Sequence, residues 1–130
     1  MMRANNKPIP FIGRIAAGSP IEAVPESEQL NFFDRFTDDG LYQLEIRGNS
    51  MCDVGITEGD IVLIKPARGA RNGQIVVALI DQTDTTLKRY YQRGKKIELY
   101  SENKKYQPQI YQPDRVEIQG ILHSAHKFSF

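Results

Sequence analysis

From Leu41 onward, glycine, proline and asparagine cut the chain into short apolar runs, a rhythm that suits β strands and little else. LYQLEIR (41–47) alternates, with Tyr42, Leu44 and Ile46 on one face and Gln43, Glu45 and Arg47 on the other. That is the period of a half-buried strand. EGDIVLIKP (58–66) supplies a second strand, entered through a Gly59-Asp60 turn, and ARGARNG (67–73) a further turn. QIVVALID (74–81) is nearly all apolar, the pattern of a central strand covered on both faces. TTLKRYYQ, KKIELY and DRVEIQGILHS read as three more strands, separated by QRGK and by SENKKYQPQIYQPD. Six or so short strands with little helix predict a mainly β, twisted, mostly antiparallel domain. Upstream, residues 1–10 read as a flexible lead-in and FIGRIAAGSPIEAVPE as an extended arm or loop. SEQLNFFDRF is expected to make one or two helical turns, ended by TDDG.

The chain has 130 residues, enough for one domain with a real core. Seventeen basic side chains against sixteen acidic ones give a formal charge of +1, so the chain carries no basic footprint for nucleic acid. No direct DNA binding by this segment is expected, and nothing marks it for a membrane surface or an acidic substrate. Cys52 is the single cysteine, which rules out an internal disulfide and suits a reducing cytosol. MMRANNKPIP has no apolar core of a signal peptide, and no segment approaches the ~18 apolar residues of a membrane span. The expectation is a cytoplasmic protein. Two histidines and one cysteine show no metal-ligand spacing, so no metal and no cofactor is expected.

The stretch that carries chemistry is GNSMCDVGI (48–56). Ser50 and Asp53 fit the S-x-x-[DE] pattern in which the serine oxygen caps the first turn of a helix. The same turn also suits a nucleophile: the serine projects outward, the free N–H groups can hold an oxyanion, and Gly48 permits close approach of a substrate. The local pattern leaves both readings open. A nucleophilic serine needs a base. His123, at the end of a strand pattern, and His126, in the tail, are not placed near Ser50 by any motif. Lys88 lies within a strand, with Thr86 and Tyr90 as same-face neighbours, and a strand lysine is more often a solvated surface charge. Lys95, Lys96, Lys104 and Lys105 read as surface charges in turns.

Together, GRIAAG (13–18), RGNSMCDVGITEGD (47–60), NGQIVVALID (72–81), TLKRYY (86–91) and LYSENKKYQP (99–108) resemble the C-terminal domain of LexA repressors. The self-cleaving UmuD proteins and phage repressors share the pattern more loosely. The resemblance runs in order from about Ile9 to Gly120. It implies a LexA/signal-peptidase-like β domain that dimerises, with residues 1–18 as a flexible arm and 19–130 as the peptidase and dimerisation domain. It further implies Ser50 as nucleophile, Lys88 as general base, and the N–H groups of Asn49 and Ser50 as the oxyanion hole. Ala17-Gly18 would be the bond that the protein cuts in its own chain. The implied partners are a second copy and a RecA filament on single-stranded DNA, in the service of the DNA-damage (SOS) response.

Such a dyad makes a physical demand. At a pKa near ~10.4 only about one lysine in 2,500 is neutral at pH 7, so the base must be desolvated into the range of about 7–8. The apolar arm FIGRIAAG could do this by lying across the site. Three departures accompany the resemblance. Only 17 residues precede the expected cut, so the chain is either an excised LexA fragment or a short UmuD-like polymerase accessory subunit. Ser101 stands where relatives usually have proline, and the tail ILHSAHKFSF is more polar than the valine-rich final strand of the family.

Overall fold

The structure, a computed structural model, describes residues 11–16 and 40–127. The lead-in 1–10, the expected helical turns in SEQLNFFDRF and the expected cleavage bond Ala17-Gly18 lie outside the described residues.

Eight strands form one sheet: β1 (Phe11–Ala16), β2 (Tyr42–Arg47), β3 (Ile61–Lys65), β4 (Ile75–Ile80), β5 (Asp84–Arg93), β6 (Lys96–Tyr100), β7 (Gln109–Tyr111) and β8 (Val116–His126). Helix among the described residues is confined to two single 3-10 turns, Cys52–Val54 and Pro113–Arg115. The order across the sheet is β1-β2-β3-β8-β4-β5-β6-β7, and β1 pairs in addition with β5. The expectation of a mainly β, mostly antiparallel domain holds. β1 is the exception to the antiparallel rule, because it runs parallel to both of its neighbours. FIGRIA, read from sequence as an arm or loop, is therefore a strand of the sheet.

The sheet curls because β1 bridges β2 to β5, which sets six strands in a ring. Residues that alternate along each strand then point to two separate interiors. Tyr42, Leu44, Ile46, Val62, Ile64, Val77 and Leu87 meet on one face, closed by Met51 and Ile56 from the segment after β2. Val76, Ala78, Ile80, Tyr90 and Leu99 meet on the other. β4 is thus buried on both faces, as its unbroken apolar run predicts. Each fully buried aliphatic side chain contributes roughly 1.5–3 kcal/mol.

β8 crosses this core with two irregularities, one between its partners for Val77 and Ala78 and one between those for Leu63 and Ile64. The first leaves Gln119 as an extra residue, and its carbonyl accepts a bond from the buried Tyr42 hydroxyl at 3.0 Å. Gly120 beside it permits the close crossing. A Cβ there would stand 2.3 Å from Ile64 Cγ2 and 2.9 Å from the Lys65 carbonyl oxygen. His126, expected in a tail, is the last residue of β8.

Candidate functional site

Ser50 follows β2 directly, and the way that strand ends decides where its oxygen goes. Gly48 takes φ +86°, a left-handed conformation open to glycine at no steric cost, and turns the chain out of the sheet. The Gly48 N–H donates to Glu58 Oε1 at 3.0 Å, which ties the start of the turn to the Thr57–Asp60 loop. The 3-10 turn begins only at Cys52, with Met51 as its N-cap residue and no side-chain cap bond. The capping role open to Ser50 in the S-x-x-[DE] pattern is therefore not taken up. Its donors are met by the main chain: the N–H of Cys52 donates to the Asn49 carbonyl at 3.2 Å and that of Asp53 to the Glu102 carbonyl at 2.8 Å. The serine oxygen is free for another partner.

That partner is Lys88. Its Nζ lies 3.4 Å from Ser50 Oγ, 2.7 Å from Thr86 Oγ1 and 3.5 Å from the Leu87 carbonyl oxygen. The solvated surface lysine that a strand position suggests is not what the fold makes of it: Lys88 is 1% exposed and Ser50 0%. β5 explains this, since Lys88 is paired with buried Val76 of β4 and shares its face with buried Thr86 and Tyr90. Burial brings the Lys88 ammonium down from its ordinary 10.5 to about 8. The desolvation that a neutral lysine requires is present.

The cost of that burial is measurable. Over the window from about 8 to 10.5 the unfolded chain holds a proton that the folded chain has released, so stability rises with pH. Stability is complete above 10.5 and is lost as pH falls to about 8, below which the full penalty applies. Lys88→Met, which keeps the length and removes the charge, should raise the free energy of unfolding at pH 7 by roughly 1–3 kcal/mol. Urea titrations of both proteins at pH 7 and pH 10.5 check this: the gain should shrink at the higher pH. A variant less stable than the parent at pH 7 would contradict the assigned penalty.

The remaining sequence candidates separate cleanly. Asn49 is exposed at the crest of the turn, and among the described residues nothing accepts from the N–H of Asn49 or of Ser50. His123 and His126 are exposed on β8, where both meet the Ser124 hydroxyl, at 3.2 and 2.9 Å. Neither His123 nor His126 contacts Ser50. Lys95, Lys96, Lys104 and Lys105 are exposed, as expected. Ala17 and Gly18 are outside the described residues, but the main chain of Ala16 is registered opposite Thr86, two residues before Lys88.

Two parts of the site were not assigned from sequence. Thr86 supplies the shortest contact to Lys88, and a hydroxyl two residues from a strand lysine was the available signal. The loop 101–106 touches the Ser50 turn through Asn103, Tyr106 and Glu102. Its signal was the LYSEN block within the resemblance. Among the described residues no group of three His, Cys, Asp or Glu side chains could hold a metal ion, and no helix is long and apolar enough to cross a membrane.

The curled β sheet buries a serine hydroxyl against a lysine amine, and the family that this chain matches is one of peptidases. The chain belongs to the Peptidase S24-like family, whose profile matches residues 10–123. It is 43% identical to the LexA repressor of Pelagibacter ubique over 125 residues, 95% of this chain and 56% of that protein. It is 47% identical to the LexA repressor of Granulibacter bethesdensis over 116 residues, 88% of this chain and 48% of that protein. To the LexA repressor of Gluconacetobacter diazotrophicus it is 49% identical over 116 residues, 88% of this chain and 46% of that protein. The chain spans about half the length of the curated relatives it matches.

Proposed function

We propose that this chain is the self-cleaving part of a LexA-type transcriptional repressor of the SOS response, and that it cuts its own Ala17-Gly18 bond with Ser50 and Lys88. The arm to residue 18 carries the bond and residues 19–130 form the peptidase and dimerisation domain. The observation that carries self-cleavage is a convergence on one residue. Thr86 holds Lys88 Nζ through its hydroxyl, while its main chain pairs with Ala16, one residue short of the bond.

In the neutral form, the Lys88 amine can give its N–H bonds to Thr86 Oγ1 and the Leu87 carbonyl and turn its lone pair to the Ser50 hydroxyl. The 3.4 Å contact is long for a hydrogen bond, as catalytic contacts often are before the reacting group is seated. Lys88 takes the proton as Ser50 Oγ attacks the Ala17 carbonyl carbon. The N–H groups of Asn49 and Ser50 stabilise the oxyanion. Collapse breaks the C–N bond, Lys88 returns the proton to the Gly18 amine, and water then releases the Ala17 ester.

The wider setting rests on the relatives. Their names as LexA repressors favour repression over the UmuD-like alternative, a translesion polymerase subunit activated by the same cut. On this reading the protein is a cytoplasmic homodimer, a RecA filament on single-stranded DNA stimulates the cut, and DNA is bound by a part that this chain does not span. The test is incubation of the purified chain at about pH 10 without any partner. Mass spectrometry should find fragments 1–17 and 18–130; a chain still intact after prolonged incubation would sink the proposal.

A further inference from the structure

The loop 101–106 reaches the candidate nucleophile turn from across the sheet. Asn103 Nδ2 donates to the Asn49 carbonyl oxygen at 2.9 Å, a contact 54 positions apart in sequence. The orientation of that amide is fixed by chemistry, because Asn103 Oδ1 accepts the Lys105 N–H at 2.9 Å and only an oxygen can do so. Tyr106 adds its hydroxyl to Asn49 Oδ1 at 3.3 Å. Glu102 fastens the far side of the turn, its carbonyl accepting the Asp53 N–H and its N–H facing Met51 Sδ at 3.4 Å. Glu102 is in turn ion-paired with Arg89, the residue after Lys88 on β5.

The Asn49 carbonyl belongs to the same peptide unit as the Ser50 N–H. That unit is planar and trans, so its C=O and N–H point in opposite directions. Whatever holds the carbonyl also aims the N–H. Among the described residues the donors on the Asn49 oxygen are Asn103 Nδ2 at 2.9 Å and, more distantly, the Cys52 N–H at 3.2 Å.

We propose that Asn103 is a positioning residue for the oxyanion hole, aiming the Ser50 N–H through the Asn49–Ser50 peptide while the Glu102–Arg89 pair keeps its loop in step with the strand that carries Lys88. Among the described residues Asn103 contacts neither the Ser50 hydroxyl nor the Lys88 amine. Its loss therefore lowers the rate at every pH and leaves the titration of Lys88 in place. This inference rests on the self-cleavage reading above.

The experiment compares the wild type with Asn103→Asp, Asn103→Ala, the loop control Lys104→Ala and the inactive reference Ser50→Ala, following self-cleavage from pH 6 to pH 11. Asn103→Asp keeps the acceptor for the Lys105 N–H and removes the donor to Asn49. It should lower the plateau rate at least about tenfold, short of the roughly 100- to 1,000-fold lost when an oxyanion donor is removed outright. The pH of half-maximal rate should stay at the wild-type value, and Lys104→Ala should match the wild type. A plateau within twofold of wild type in both Asn103 variants overturns the inference, as does a shift in the midpoint that accounts for the loss. An inert wild type overturns the self-cleavage reading itself and the inference with it. A second readout is independent of turnover. In the Ser50→Ala background, removing the Asn103 donor should move the amide resonance of residue 50, and an unmoved resonance counts against the proposal.

Discussion

Ser50→Ala and Lys88→Ala should each lower self-cleavage at Ala17-Gly18 by at least about 1,000-fold, because on the proposed reading each removes one half of a single proton-transfer unit. Without Oγ there is no nucleophile. Without Nζ the hydroxyl loses the side-chain hydrogen-bond partner that the described residues give it. Groups that act as one unit are strongly non-additive, so the double variant should cut no more slowly than either single one. Fragment masses over a time course measure this, with circular dichroism to show that each variant keeps its β sheet. Lys88→Ala empties a buried position, so Lys88→Met is the better-packed companion for the same measurement. If Lys88→Ala cut at the wild-type rate, the base would have to be sought elsewhere, and exposed His123 on β8 would be the next residue to replace.

The second large effect is on pH. A base of pKa about 8 is neutral in about one molecule in a hundred at pH 6 and in about half at pH 8. The rate of self-cleavage should therefore climb roughly tenfold per unit below pH 8, bend near 8 and level off by about pH 9–10. On the proposed role of Lys88 its proton blocks the reaction and alkali removes it. The position of the bend is diagnostic. A solvated lysine would carry the rise on to about 10.4, and a histidine base would bend it near ~6.5. A flat profile would mean that no titrating side chain limits the reaction.

Most of the sheet was legible because its strands announce themselves locally. In LYQLEIR the alternating residues are the buried ones, Tyr42, Leu44 and Ile46, and QIVVALID is apolar because β4 is buried on both faces. Two strands were not legible. FIGRIA has a glycine at its third residue and finds its partners in β2 and β5, far along the chain, so nothing local marks it as paired. Gln109–Tyr111 is three residues long between Pro108 and Pro113, and it is a strand only because β6 lies beside it.

The candidate site divides in the same way. Ser50 stood out in a motif, while its two local readings could be separated only by geometry: the 3-10 turn starts one residue later than a serine cap requires. Lys88 could be singled out only by resemblance, because burial of a strand lysine depends on what the other strands lay over it. Asn103 acts on a peptide 54 positions away, and no spacing rule reaches so far.

The pairing of β1 separates two events that are easily treated as one. Its five registered pairs with β2, from Phe11↔Gln43 to Ala16↔Arg47, all lie upstream of Ala17-Gly18. Hydrolysis of that bond breaks one covalent link and none of those pairs. On the proposed reading a cut molecule is thus nicked before it is split, with Phe11–Ala16 still paired in the sheet.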